Sequence, residues 1–242
     1  GDNKFSALLS DQPAAEEELY TAAIDLLATL NRHPAPDALR PYDMAELLRE
    51  VRLFTDWYLP DVLGRNLTER QIADFETCWQ TALAPVADAR QVLVHRDYHV
   101  DNLIWRAEKS GTDRIALLDF QDALAGHPAY DLASLLSDIR RAIPGGLENR
   151  LIRRFADALS VDETELRAHY AILAAQRNTK ILGIFTRLAR RDGKESYLGW
   201  NPRGASLLQR DLAHPALAPV HDWFRENLPK DFLIHQAAAG GS

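Results

Sequence analysis

His95-Arg-Asp-Tyr-His-Val-Asp-Asn102, with Leu117-Leu-Asp-Phe-Gln121 following closely, is the pair of stretches that decides how this chain is read. Asp97 lies between two potential donors, Arg96 and His99, which can orient an ionised carboxylate as the acceptor of a hydroxyl proton. Asn102 and Asp119 add an amide oxygen and a second carboxylate, the hard oxygen donors that Mg2+ prefers. Magnesium commonly takes one or two ligands from protein and the rest from phosphate and water, and these two residues supply that number. A base beside a metal pair is what phosphoryl transfer from ATP demands, because positioning and charge neutralisation do most of the work there.

Outward from these motifs, Val92-Leu-Val94, Leu103-Ile-Trp105 and Ile115-Ala-Leu-Leu118 are short apolar runs of strand length. Ser110-Gly-Thr-Asp113 makes a turn between the last two. Both motifs are therefore predicted on or beside a small sheet, with Asn102 and Asp119 at adjacent strand ends. Everything else reads as helix. Apolar positions recur at helical spacing over 14–33, and Pro34 and Pro36 stop that run. A second helix is predicted over 43–59 with Pro60 after it, and a third over 68–84, opened by the capping box Thr68-Glu-Arg-Gln71. Helices return over 131–142, 147–159, 162–190 and 203–228 with breaks, and Asp162-Glu-Thr-Glu165 is another capping box. The fold class is α+β and mostly helical.

Other readings of the loop are open at this point. It can be a polar turn between strands. It can also be a zinc site, since His95, Asp97 and His99 alternate and would share one face of a strand. Asp131 is read as a helix N-cap, as a brace that reaches back to the loop's backbone N–H groups, or as both.

The 242 residues suffice for a sizeable core, and 46% hydrophobic with 26% charged residues is a globular balance. A formal charge of -7 argues against a nucleic-acid-binding surface. No long uncharged apolar run and no leader pattern is visible, so no membrane partner is expected and the compartment is read as cytoplasmic. Cys78 is the single cysteine, which excludes an internal disulfide and a multi-thiolate metal site. Residues 1–236 are read as one lobe and 237–242 as a tail.

At His95-x-Asp97-x-His99-x-x-Asn102, Leu118-Asp119-Phe120 and Pro128-x-Tyr130-Asp131-Leu132 the sequence resembles the aminoglycoside phosphotransferase and choline kinase group, small-molecule relatives of the protein kinases. Protein kinases usually carry lysine where this chain has His99, and they need a long activation segment closing in Ala-Pro-Glu, which does not follow Phe120 here. Within the group, these motifs with Arg52–Tyr58 and Gln176–Gly183 look most similar to bacterial amino-sugar kinases. The resemblance implies a protein-kinase-like C-terminal lobe, ATP as phosphate donor, Mg2+ on Asn102 and Asp119, Asp97 as base, and His95, Arg96, His99 and Asp131 supporting it. It also implies a small-molecule acceptor such as N-acetylmuramate or N-acetylglucosamine. No G-x-G-x-x-G and no Val-Ala-Ile-Lys-like strand precedes the first helix, so the N-terminal ATP lobe is expected to be absent from this chain.

The helix over 162–190 carries an apolar stripe of Leu166, Tyr170, Leu173, Ile181, Ile184 and Leu188, on which Arg177 falls. A charge on a buried face needs a partner or a task. It is either ion-paired to an acidic neighbour such as Asp131, or Arg177, Asn178 and Lys180 meet the acceptor. Trp57 and Trp200 are packing residues or sugar-stacking surfaces. An aminoglycoside or choline-type kinase is the alternative within the same chemistry, and a regulatory pseudokinase is the alternative outside it. Oligomeric state is not legible.

Overall fold

The folding of each stretch follows from its apolar spacing and its caps, and the computed structural model describes residues 3–87 and 91–238. The helices are α1 (Phe5–Asp11), α2 (Glu16–Asn31), α3 (Met44–Leu53), α4 (Leu59–Leu63), α5 (Glu69–Ala87), α6 (Ala129–Leu136), α7 (Gly145–Leu159), α8 (Glu163–Asp192), α9 (Asn201–Leu212), α10 (Ala218–Asn227) and α11 (Phe232–Ala238). The strands are β1 (Val92–Val94), β2 (Leu103–Trp105), β3 (Ile115–Leu117) and β4 (Leu124–Gly126). The chain divides into two units, Gly1–Pro41 with Ala89–Tyr170, and Tyr42–Asp88 with Ala171–Ser242.

Among the described residues, the first unit carries the four strands. They form two antiparallel pairs, where the sequence predicts one small sheet. β2 pairs with β3, Leu103 opposite Leu117, as expected. β1 pairs instead with β4, Val92 opposite Gly126 and Val94 opposite Leu124. Leu124-Ala-Gly126 gives no strand signal in the sequence, because three residues running into His127-Pro128 are too few to show a period. The helices of this unit bury Phe5, Tyr20, Ile24, Leu27, Leu132 and Phe155 with Tyr98 and Leu103 of the loop region. The segment between β1 and β2 is thus built on core.

The second unit has an aromatic centre: Phe54 stacks on Phe75 at 6.0 Å between centroids, Trp223 meets Phe75 edge-on at 4.8 Å, and Phe224 lies 5.5 Å from Phe54. Rings in such offset and edge contacts add attraction beyond the area they bury. The capping box at Thr68 is formed in both directions, Thr68 N–H to Gln71 Oε1 at 3.0 Å and Gln71 N–H to Thr68 Oγ1 at 3.2 Å. Pro60, expected to follow the end of a helix, instead sits in the first turn of α4, where its missing N–H is no loss. Between α3 and α4 the chain makes a π-helical turn, Phe54–Tyr58. Gly183 of α8 explains the closeness of packing there: a Cβ would lie 2.3 Å from the Leu53 carbonyl carbon and 2.4 Å from its oxygen. Only glycine admits that approach.

The capping box at Asp162 is formed in its first half, Glu165 N–H to Asp162 Oδ1 at 2.8 Å. α8 is buried on all sides from Tyr170 to Gly183, beyond the single stripe that its periodicity suggests. α11 runs on to Ala238, so the first two residues of the expected tail are helical, and 239–242 lie outside the described residues. Among the described residues no helix is long and apolar enough to cross a membrane.

Candidate active site

β1 delivers the chain into the loop at His95, and β2 takes it away after Asn102. Residues 95–101 form no strand, so His95, Asp97 and His99 share no strand face. Among the described residues no group of three or more His, Cys, Asp or Glu can hold a metal ion, which leaves the zinc alternative without support.

The loop is folded by four sets of hydrogen bonds. His99 N–H bonds the Asp97 carbonyl at 3.0 Å, and Asn102 N–H bonds the His99 carbonyl at 2.9 Å. Tyr98, fully buried, donates its hydroxyl to the Ala23 carbonyl at 2.8 Å and so pins the loop to α2. Its phenol stays protonated, pushed far up by burial and by the charge of Asp131. Asp131, 2% exposed, accepts the N–H of His95 at 2.6 Å and that of Arg96 at 3.0 Å. Ser134 Oγ reaches the Arg96 carbonyl at 3.4 Å.

Asp131 is thus the brace and not the cap. Pro128 occupies the N-cap of α6, which begins at Ala129, and Asp131 lies in its first turn. Arg96 sits at φ 74°, a left-handed backbone that a non-glycine residue adopts only where its surroundings enforce it. The two bonds to Asp131 supply the enforcement.

These ties leave Asp97 on the surface with its side chain 56% exposed, while its neighbours on either side, Arg96 excepted, are buried. His99, 5% exposed, brings Nε2 to 4.0 Å from the Asp97 carboxylate. His95 is 1% exposed, and burial lowers its affinity for a proton, with the Leu118 backbone and the charges of Asp97 and Asp119 opposing in part. His95 is therefore packed as a neutral imidazole at the start of the loop. The Arg96 guanidinium turns to the Asp122 carbonyl at 3.4 Å.

Asn102 and Asp119 lie beside the paired ends of β2 and β3, as the sequence predicts. Leu118 N–H bonds the Asn102 carbonyl at 3.0 Å, extending the β2–β3 ladder by one rung and setting Asn102 across from the start of the second motif. Asn102 donates Nδ2 to the Asp97 carbonyl at 3.0 Å, which fixes the amide so that Oδ1 is the atom left for a cation. Asp119 has φ 56°, again left-handed and non-glycine, and is exposed, as are Leu118 and Phe120 beside it. Two hard oxygen donors at adjacent strand ends suit Mg2+, whose remaining positions belong to phosphate and water.

Three side chains of this unit are missed by sequence reasoning: Tyr98, Asp138 and Arg140. Tyr98 lies inside the motif but reads as filler, and Asp138 and Arg140, expected within a helix over 131–142, instead follow the end of α6 at Leu136.

Arg177, Asn178 and Lys180 belong to the second unit. Asn178 Nδ2 bonds Asp211 at 2.7 Å. Lys180 Nζ pairs with Glu50 at 3.2 Å, and Glu50, itself 2% exposed, also accepts from the Tyr42 hydroxyl and from Gln176 Nε2 at 3.1 Å. Arg177 is 3% exposed and its Nη1 has no hydrogen-bond partner among the described residues. Glu50 is therefore the acidic neighbour that the buried polar run requires, paired with Lys180 and not with Arg177. Trp57 is partly buried and Trp200 is 40% exposed.

The fold resembles the crystal structure of a choline kinase from Streptococcus pneumoniae with a TM-score of 0.53 at 16% identity, covering 84% of this chain and 64% of that one. The chain belongs to the phosphotransferase enzyme family, whose model matches residues 4–170. It is 36% identical over 239 residues to an N-acetylmuramate/N-acetylglucosamine kinase of Caulobacter vibrioides, covering 95% of this chain and 65% of that protein. A protein of the same description from Neisseria meningitidis is 35% identical, covering 91% of this chain and 68% of the relative. The chain thus spans about two thirds of the length of these curated relatives.

Proposed function

We propose that residues 3–238 are the C-terminal catalytic lobe of an ATP-dependent small-molecule kinase whose acceptor is an amino sugar, N-acetylmuramate or N-acetylglucosamine. Asp97 accepts the proton of the attacking sugar hydroxyl, and His99 and the loop backbone orient it. Asn102 Oδ1 and Asp119 hold Mg2+, which when bound neutralises charge on the ATP phosphates. Asp131 fixes the backbone of His95 and Arg96, and so the direction in which Asp97 points.

The observation that carries this reading is the pairing of an exposed Asp97 with an Asn102 amide whose oxygen is freed by the bond of its nitrogen to the Asp97 carbonyl. The description of the relatives at 35% and 36% identity supports the amino-sugar acceptor. Arg177, Asn178 and Lys180 are the acceptor contacts in this proposal, and Arg177 is the strongest of them because its buried Nη1 is uncommitted. An anionic group such as the carboxylate of N-acetylmuramate satisfies that need.

A phosphate-transfer screen of the full-length encoded protein with Mg-ATP tests the reading. Activity on N-acetylmuramate and N-acetylglucosamine, with none on kanamycin or choline, is the expected result. Transfer to kanamycin or choline alone replaces the acceptor, and no transfer to any alcohol favours a regulatory pseudokinase.

A further inference from the structure

The loop is tied at its start by Asp131 and in its middle by Tyr98, and a third tie holds its far end. Asp138, 0% exposed, lies just beyond α6. Its Oδ1 accepts the backbone N–H of Arg140 at 3.0 Å and Nη1 of the same residue at 3.2 Å. One buried carboxylate therefore fixes both the main chain and the guanidinium of Arg140. So held, Arg140 presents Nε to Asp101 Oδ2 at 3.2 Å. Asp101 immediately precedes Asn102.

An exposed arginine–carboxylate pair is ordinarily worth little, because two long side chains lose freedom to form it. Here that loss is already met, since Asp138 orders Arg140 before Asp101 engages. A simple Asx turn at Asp138 needs the backbone N–H alone; the second bond, to the guanidinium, aims the side chain.

We infer that Arg140 is a positioning residue for metal binding, acting through Asp101 on the amide of Asn102. The inference rests on the kinase reading above. It predicts that the Asp138–Arg140–Asp101 clamp sets how tightly Mg2+ is held, in the way that groups behind metal ligands tune affinity by about 10- to 100-fold.

The test uses the full-length protein with Arg140→Met, Asp101→Asn, the double variant, Arg140→Lys, and Arg141→Met as control. Arg141 pairs with Glu16 at 2.8 Å, so its loss is the same charge change at the next residue. Each of the first two variants is expected to raise the Mg2+ concentration for half-maximal rate by about tenfold, with the acceptor KM changed less than about twofold. The double variant should be no worse than either single one, because the two residues act as one device. Arg140→Lys should recover part of the loss, and Arg141→Met should cause none. An unchanged Mg2+ dependence, additive effects, or a control matching Arg140→Met would each overturn the inference.

Amide hydrogen exchange of residues 97–102 gives a readout independent of activity. If the wild type transfers phosphate to no acceptor, the kinase reading fails. Faster loop exchange in Arg140→Met then still supports the clamp, and identical exchange refutes it.

Discussion

Replacing Asp131 by asparagine keeps its shape and removes one of its two acceptor oxygens. At present the carboxylate takes two buried backbone N–H groups, at 2.6 and 3.0 Å. Asparagine can accept one of them, and its NH2 then faces the other, donor against donor. The lost charge-assisted bond costs about 1.5–3 kcal/mol, and the stranded buried N–H costs about 1–3 kcal/mol. These overlap, so a net loss of about 3 kcal/mol is expected. The backbone adds a second consequence. A left-handed non-glycine residue stores about 1–3 kcal/mol of strain, and Arg96 at φ 74° keeps it only while Asp131 holds both amides. Once released, Arg96 relaxes and Asp97, the next residue, swings from its position. A misplacement of about 1 Å is worth on the order of 100-fold in rate. Urea unfolding and steady-state kinetics of Asp131→Asn measure the two effects separately. A stability within about 0.5 kcal/mol of wild type with turnover within about twofold would refute the bracing role, since both terms would then have been counted wrongly.

His127 sets an acid limb on stability. Burial and the charge of His169, 4.7 Å away between ring centroids, lower its pKa to about 3, and its Nδ1 accepts the Ala129 N–H at 3.0 Å. The unfolded imidazole binds a proton near pH 6.5 while the folded one refuses it until about pH 3, so stability is full above pH 6.5 and falls as the pH drops through that window. The slope is at most about 1.4 kcal/mol per pH unit, and His127→Asn, which can still accept from Ala129, should flatten it in unfolding titrations; an unaltered slope would assign the acid limb elsewhere. Gly183→Ala drives a methyl into the Leu53 backbone and should cost about 3 kcal/mol, read from the urea midpoint, whereas a neutral effect would mean that the helices separate freely. Lys180→Met breaks the buried pair with Glu50 and should cost about 3 kcal/mol. A stability within about 0.5 kcal/mol of wild type would refute the weight given to that pair, and an acceptor KM unchanged within about twofold would remove Lys180 from the proposed acceptor contacts.

Much of the site is legible in the sequence because it is local. Eight residues between two apolar triplets carry the proposed base, its neighbours and one proposed metal ligand, and the flanking strand-length runs are enough to set Asn102 and Asp119 at adjacent strand ends. The parts that escape are those whose partners are distant in the chain. β4 is too short to show a period, and its pairing to β1 closes 29 residues between Leu124 and Val94. Tyr98 looks like filler in a motif and becomes an anchor only because Ala23 offers a carbonyl. Glu50 sits in an otherwise ordinary amphipathic helix, and nothing near it announces Lys180 or Gln176 as partners. Arg140 is one of two consecutive arginines, and only the fold separates the one aimed at the loop from the one paired with Glu16. Asp131 shows the remaining difficulty: its position near a helix start suggests a cap, while its carboxylate reaches back 36 residues to His95.

The central claim is that Asp97 is the base of phosphoryl transfer, and one comparison tests it most directly. Phosphate transfer from Mg-ATP to N-acetylmuramate is measured for the full-length protein and its Asp97→Asn variant, with nucleotide binding followed in parallel by calorimetry. The account predicts unchanged nucleotide affinity and a turnover lower by about 100- to 10,000-fold. Turnover within a few-fold of wild type would contradict it.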